Sequence, residues 1–157
     1  MISITGNSNI KSKEYNVSSF VHLHISVNSR HEQQQSRVEL HQSTDERVVI
    51  ETDENLLEYF SVVNSGKTLF ITTEPGYRSL DFSGITVKIY FRQLRKLNLN
   101  CERCQVICAN PISLSTSIDI KIQGAMNIGL KLDVHHYGNA ILSNVNQQGA
   151  GEIKHIN

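Results

Sequence analysis

Apolar and polar residues alternate with a period of two along most of the chain. From residue 21 to residue 27, Val, Leu, Ile and Val take every odd position, with His22 and His24 between them. The same alternation runs through residues 85–91. Because successive side chains of a strand point to opposite faces, the pattern predicts strands with one buried face and places both histidines on the outward face.

Shorter alternating runs in the N-terminal half predict local pairings. Residues 37–40 and 47–51 predict two strands joined by a polar turn. Residues 61–63 and 68–73 predict a hairpin around the turn from Asn64 to Lys67, which contains a glycine. We expect both pairings to be antiparallel.

One segment, residues 53–60, has a helical pattern. Asp53 begins it as a predicted N-terminal cap, while Leu56, Leu57 and Phe60 would face inward. A segment this short is not a stable helix alone, so its packing must stabilise it.

The C-terminal third repeats a glycine-centred segment that ends on isoleucine. Residues 123–128 and 148–153 are two fuller copies 25 residues apart, and the isoleucines at 128, 141 and 153 are 13 and 12 residues apart. Such spacing favours the coils of a parallel β-solenoid, in which each coil buries its aliphatic side chains on its neighbour. An array of hairpins would use similar glycines and stays open as an alternative.

Composition supports one all-β domain over residues 1–157, with an N-terminal β part at 1–93 and the repeats at 94–157. The 157 residues include 15 Lys and Arg against 15 Asp and Glu, which gives no net field to attract nucleic acid or an anionic membrane. There is no Trp, and no apolar run approaches the ~20 residues that cross a bilayer. The first ten residues lack the pattern of a signal peptide, which does not settle the compartment.

Cys101, Cys104 and Cys108 form the one cysteine cluster. Thiolates at this spacing bind zinc or iron–sulfur clusters, but no second pair of cysteines or histidines completes the ligand set. We favour small inward-facing side chains on either side of a turn, with a labile Cys101–Cys104 disulfide as a further option.

Histidines and carboxylates give two weaker candidates. His22 with His24, and the later pair His135-His136, could form a metal-binding or pH-sensing surface, but a solvated strand face explains them better. Three acidic residues could form the groove of a glycan-cleaving β-helix, but they alternate with lysines as on an ordinary outward face. These acidic residues are Asp119, Asp133 and Glu152.

Tyrosines could form a sugar-stacking platform, since aromatic rings bury ligand faces well. They are scattered along the sequence, and parity places Tyr90 outward. The five are Tyr15, Tyr59, Tyr77, Tyr90 and Tyr137.

Several of these segments together resemble the bacterial putative auto-transporter adhesin head, GIN domain family, common in Bacteroidetes envelope proteins. The resemblance covers Gly6-Asn7-Ser8-Asn9-Ile10, the strand at 21–27, and the phrase at 50–57 that contains Asp-Glu-Asn-Leu-Leu; residues 66–71 and the glycine repeats extend it. It implies a right-handed β-solenoid, an envelope or surface location and no established chemistry.

We therefore expect a non-catalytic envelope module that binds a glycan or a protein through a polar β-surface, with self-association possible, without nucleic acid and without membrane insertion. We assign no catalytic, metal or cofactor residues and no cofactor. The alternatives are a carbohydrate-active β-helix enzyme, which needs paired carboxylates in a groove, and a purely structural stacking unit.

Overall fold

A computed structural model describes residues 2–27, 36–73, 78–101, 104–108, 112–114, 118–123, 128–131, 133–136, 142–147 and 154–156. The N-terminal strands are β1 (Ile2–Thr5), β2 (Ile10–Asn16), β3 (His22–Val27), β4 (Ser36–Gln42), β5 (Arg47–Asp53), β6 (Phe60–Ser65), β7 (Thr68–Thr73), β8 (Arg78–Asp81) and β9 (Ile85–Phe91). They are followed by β10 (Lys96–Cys101), β11 (Cys104–Cys108), β12 (Ile112–Leu114), β13 (Ile118–Gln123), β14 (Ile128–Lys131), β15 (Asp133–His136), β16 (Leu142–Gln147) and β17 (Lys154–Ile156). A 3-10 helix, Glu54–Tyr59, connects β5 to β6.

The strands form two six-stranded sheets and two smaller ones. Sheet I has the order β16-β13-β10-β3-β7-β6, and sheet II has the order β14-β11-β4-β9-β5-β2. Strands β12, β15 and β17 form a third sheet, and β1 pairs with β8. Among the described strands, the pairs β2–β5, β5–β9 and β6–β7 are antiparallel and the other pairs are parallel. The fold is therefore all-β with mixed sheets, which confirms the predicted class.

Alternation along the strands builds the core between sheets I and II. In β3, Leu23, Ile25 and Val27 are buried while His22 and His24 face outward and are half-buried. Buried residues of β4, β5 and β9 from sheet II belong to the same cluster as those of β3, β7 and β10 from sheet I. Burying each large apolar side chain stabilises the fold by about 1.5–3 kcal/mol. A shift of one residue would move these side chains to the solvent face, so their burial fixes the register of the strands.

The predicted hairpin is confirmed. Strands β6 and β7 pair antiparallel from Phe60 with Thr73 to Ser65 with Thr68. Gly66 in the turn has a φ of 60°, a left-handed conformation that glycine adopts without a steric penalty.

The expected direct pairing of residues 37–40 with 47–51 is wrong, because β9 lies between β4 and β5. Val38 of β4 and Ile50 of β5 both pair with Val87 of β9, the first in a parallel ladder and the second in an antiparallel one. Strand β9 buries every second residue from Ile85 to Phe91. In a central position its backbone hydrogen-bonds to a strand on each side, and its apolar face is covered by the core.

The helical turn exists as the 3-10 helix. Leu56 is fully buried, Phe60 is buried and Leu57 packs partly against the core, as predicted. The predicted cap is wrong, because Asp53 makes no side-chain hydrogen bond to the helix. Its carboxylate is committed to other donors, described below.

The C-terminal strands stack in parallel at a nearly constant sequence offset. Leu97 of β10 pairs with Ile120 of β13, 23 residues later, and Cys104 of β11 pairs with Ile128 of β14, 24 residues later. The glycine-containing segments 124–127, 137–141 and 148–153 lie outside the described residues, so the predicted corners themselves stay predictions. No helix among the described residues is long and apolar enough to cross a membrane.

Candidate binding surfaces

Asp53 lies at the end of β5 and is fully buried. Its carboxylate accepts the backbone N–H of Ser8 at 2.8 Å, the backbone N–H of Ser83 at 2.9 Å and the Ser83 hydroxyl. Burial alone would raise the pKa of Asp53, but the hydrogen bonds from Ser83 and Ser8 outweigh it and hold the pKa below its ordinary value. A Cβ on Gly6 would overlap this carboxylate, so a close approach requires glycine at that position.

Asn55 and Glu54 join the same two segments beside Asp53. The Asn55 side chain accepts the N–H of Asn7 at 2.9 Å and donates to the carbonyl of Thr5 at 2.9 Å. The N–H of Glu54 donates to the carbonyl of Asn9 at 2.8 Å, and the Asn9 amide donates to the Glu54 carboxylate at 3.1 Å. We call this contact of residues 6–9 with residues 53–55 and Ser83 the Asp53 clasp. Its polar groups are satisfied within the chain, which makes it a structural element.

The outward surface of sheet II centres on Tyr90. Its ring stacks on His41 with centroids 4.8 Å apart and planes 15° apart, and the guanidinium carbon of Arg47 lies 4.4 Å from the ring centroid. His41 and Arg47 belong to the strands on either side of β9, so they cover the two faces of the ring. Tyr90 is outward, as parity predicted, but only its edge is open to a ligand.

Ion pairs cover the rest of the sheet II surface. Arg37 and His41 contact the Glu39 carboxylate at 2.9 and 3.1 Å. Burial would raise the pKa of Glu39, but its hydrogen bonds with His41 and Arg37 hold the pKa below its ordinary value. Lys88 contacts Glu51 at 3.0 Å, which raises the pKa of Lys88. The sheet II surface therefore balances its own charges.

The outward surface of sheet I has a different character. His24 lies against Phe70 with ring centroids 5.4 Å apart and planes tilted by 51°, and the Thr68 hydroxyl lies 3.5 Å from Nδ1 of His22. Phe70 is 37% exposed and the neighbouring Val63 is 53% exposed. None of the described side chains of this surface is acidic. They are Ser61, Val63, Ser65, Thr68, Phe70, Thr72, His22, His24, Ser26, Lys96 and Asn98.

The structure places the other predicted candidates on separate elements. Asp119 takes the register position beside Lys96 in sheet I, whereas Asp133 takes the position beside Lys154 in the third sheet. Glu152 lies outside the described residues. Asp119 and Asp133, two of the three acidic residues considered for a groove, therefore lie in different sheets, each in register with a lysine.

Cysteines, histidines and tyrosines do not converge on one site among the described residues. The chain leaves sheet I at Cys101 and enters sheet II at Cys104, and Cys108 ends β11, so the chain changes sheets between the first two cysteines, as expected.

His135 and His136 lie in β15. Tyr15 is on β2, where burial raises its pKa, and Tyr59 ends the 3-10 helix, while Tyr77 and Tyr137 lie outside the described residues. In the part of the chain that the structure describes, no group of three or more His, Cys, Asp or Glu could hold a metal ion.

Sequence reasoning missed His41 and Arg47, which flank Tyr90. In the structure both residues alternate with buried ones along β4 and β5 and so face outward. The sequence pattern did not indicate that β9 separates these strands, and that separation is what brings the two side chains to opposite faces of one ring.

Most of the chain matches the model of a known protein family. The family model described as Putative auto-transporter adhesin, head GIN domain, matches residues 31–156. The chain belongs to this family. The match confirms the resemblance carried by residues 50–57 and by the repeats, while residues 6–27 precede the matched part. No curated protein matches this GIN domain.

Solved structures share the fold at low sequence identity. A putative lipid binding protein from Parabacteroides distasonis is 19% identical with a TM-score of 0.60, over 97% of this chain and 76% of that one. A putative adhesin from Bacteroides fragilis is 16% identical with a TM-score of 0.59, over 96% and 81%. A putative adhesin from Parabacteroides merdae is 12% identical with a TM-score of 0.53, over the whole of both chains. None of these descriptions names an enzymatic activity.

Proposed function

We propose that this GIN domain is a non-catalytic surface module of the cell envelope that binds a glycan or a protein through the outward surface of sheet I. The observation that carries the proposal is the contrast between the two six-stranded sheets. On sheet II, charges pair with one another and both faces of Tyr90 are covered. On sheet I, Phe70 and Val63 are exposed beside His24.

A rigid surface of this kind suits recognition. The side chains project from neighbouring strands of one sheet, so binding orders few of them and costs little conformational entropy. An exposed aromatic ring gives a sugar or a protein side chain an apolar face to pack on, and histidine, threonine and asparagine give hydrogen-bonding groups around it.

A right-handed parallel β-solenoid is the architecture that we propose for the repeats. Strands β10, β11 and β12 lie in sheet I, sheet II and the third sheet, in that order. Strands β13, β14 and β15 follow the same order one layer further. Parallel pairing at an offset of 22–24 residues between these layers supports this arrangement.

Binding without catalysis is supported by the state of the carboxylates. A glycosidase keeps one carboxylic acid protonated near neutral pH beside a second carboxylate. Glu39 instead contacts Arg37 and His41 and its pKa is lowered, and Glu51 holds Lys88. The description of the family as an adhesin head supports the envelope location.

A glycan array with matched surface variants tests this proposal. We expect the chain to bind a subset of glycans without cleaving them, and Phe70→Ala to weaken that binding by about tenfold or more, as loss of an aromatic anchor does. Tyr90→Ala on sheet II is the matched aromatic control and should bind like the wild type. Cleavage of a bound glycan, or equal losses for the two variants, would contradict the proposal.

A further inference from the structure

Three cations lie at the corner of sheet I where strands β3, β7 and β10 begin. The backbone of Val21 lies between Lys67 on one side and Arg95 and Lys96 on the other. The N–H groups of Val21 and His22 donate to the carbonyl of Lys67 at 3.0 and 3.1 Å. On the other side, the carbonyl of Val21 accepts from the N–H groups of Arg95 and Lys96 at 2.7 and 3.3 Å. Neighbouring strands are about 4.8 Å apart, so the backbones of Lys67 and Arg95 are roughly 10 Å apart. Lys67, Arg95 and Lys96 are all exposed.

None of these cations has an acidic partner among the described side chains. On sheet II, by contrast, Lys88 contacts Glu51 at 3.0 Å and Arg47 contacts Glu14 at 2.9 Å. Asp119 takes the register position beside Lys96, so Lys67 and Arg95 are the two cations on which the inference rests. The chain has no net charge, and the backbone pairings bring Lys67 and Arg95 to one corner of sheet I.

The corner is continuous with the surface that we propose for binding. Thr68 and His22 pair in register one position after Lys67 and Val21, and Phe70 and His24 pair two positions further on. A ligand that runs along β3 and β7 therefore meets two cations at the corner, then hydroxyl and imidazole groups, then the partly exposed ring of Phe70. Carboxylate or sulfate groups match the cations, and the apolar face of a sugar ring matches Phe70.

We propose that this corner, formed by Lys67 and Arg95 with His22 and Thr68, binds an anionic polysaccharide that carries carboxylate or sulfate groups. This inference rests on the proposed function and names the class of glycan. A membrane surface is the less suitable partner, since polybasic membrane-binding segments cluster 4–8 cations. Single-stranded nucleic acid is also less suitable, because it uses several aromatic rings for successive bases.

The test is a titration of the full chain with polygalacturonate, compared with the same polymer after methyl esterification, which removes the charge and keeps the backbone. We expect binding to the charged polymer that weakens as salt rises, since contacts to a polyanion release counterions. The double variant Lys67→Gln/Arg95→Gln should weaken binding by roughly tenfold and reduce the salt dependence. The matched control, Lys11→Gln/Lys13→Gln, removes the same charge from the exposed strand β2 and should bind like the wild type.

Other results separate this inference from the proposed function. Equal losses for the two double variants would mean that binding follows overall charge and would overturn the corner site. Binding of neutral glycans only, unaffected by the corner variant, would overturn the inference and leave the proposed function standing. Equally strong, corner-dependent binding to vesicles of anionic lipid would replace the polysaccharide by a lipid surface. Failure to bind any glycan or protein on arrays would remove both proposals.

Discussion

Asp53 accepts the backbone N–H of Ser8 at 2.8 Å, although the two residues are 45 positions apart. The contact fixes the segment before β2 against the end of β5, and Ser83 donates to the same carboxylate from the segment between β8 and β9. One buried carboxylate thus ties together three parts of the chain. It joins two of the segments that carry the resemblance, residues 6–10 and 50–57.

Replacing Asp53 should destabilise the fold markedly. Asp53→Asn turns one acceptor oxygen into an amide that faces existing donors, so at least one buried hydrogen bond is lost and two donors oppose each other. We expect a loss of about 2–4 kcal/mol in the free energy of unfolding, measured by urea denaturation. Asp45→Asn, in an exposed turn, is the control and should change stability by less than about 0.5 kcal/mol. A change of less than about 0.5 kcal/mol in the free energy of unfolding of Asp53→Asn would contradict a stabilising role for the clasp.

The Asp53 clasp also predicts a pH dependence. The folded-state pKa of Asp53 is lowered from the ordinary value of 3.8, so its contribution to stability is full above that value and is lost as the pH falls towards the folded-state pKa. Urea midpoints should therefore show the largest difference between wild type and Asp53→Asn at neutral pH and a shrinking difference below about pH 4. A difference that grows on acidification would have the wrong sign.

Gly6 gives a steric test of the same contact. Gly6→Ala places a Cβ where the Asp53 carboxylate lies, so the clasp must open or shift, at an expected cost of about 1–3 kcal/mol in the free energy of unfolding. Gly84→Ala is the matched control, because its Cβ would come no closer than 4.0 Å to Ile10. Equal effects of the two alanines in the same urea experiment would argue against a close approach at Gly6.

Ion pairs on sheet II should contribute little to stability despite their short distances. Lys88 and Glu51 are 3.0 Å apart, but their side chains are 29% and 36% exposed, so water screens the attraction. Glu51→Gln should cost less than about 1 kcal/mol, and 1 M salt should reduce the cost further. A salt-independent cost above about 2 kcal/mol would show that the pair is more strongly coupled than its exposure implies.

How much of the fold is predictable from sequence depends on whether the signal is local. Period-two alternation identified β3 and β9, and the glycine at position 66 identified the β6–β7 hairpin, because each pattern lies within one short segment. The position of β9 between β4 and β5 has no local signal, since the three strands carry interchangeable apolar faces. The same holds for Asp53, which precedes a helical turn as a cap would and instead binds Ser8 and Ser83.

The candidate surfaces follow the same rule. Parity placed His22, His24 and Tyr90 outward, which the structure bears out. It did not indicate which side chains neighbour them across strands, because that depends on pairings between residues far apart in sequence. For this reason the covered ring of Tyr90 emerges only from the register of the strands, and so do the cations Lys67 and Arg95, which have no acidic partner among the described side chains.

The most direct test of binding through sheet I is backbone NMR of the chain titrated with a glycan selected on the array. We predict that the largest shift changes fall on β3, β7 and the first residues of β10, with β4, β5 and β9 nearly unchanged. Shift changes centred on Tyr90 and its neighbours in sheet II would contradict the proposed surface.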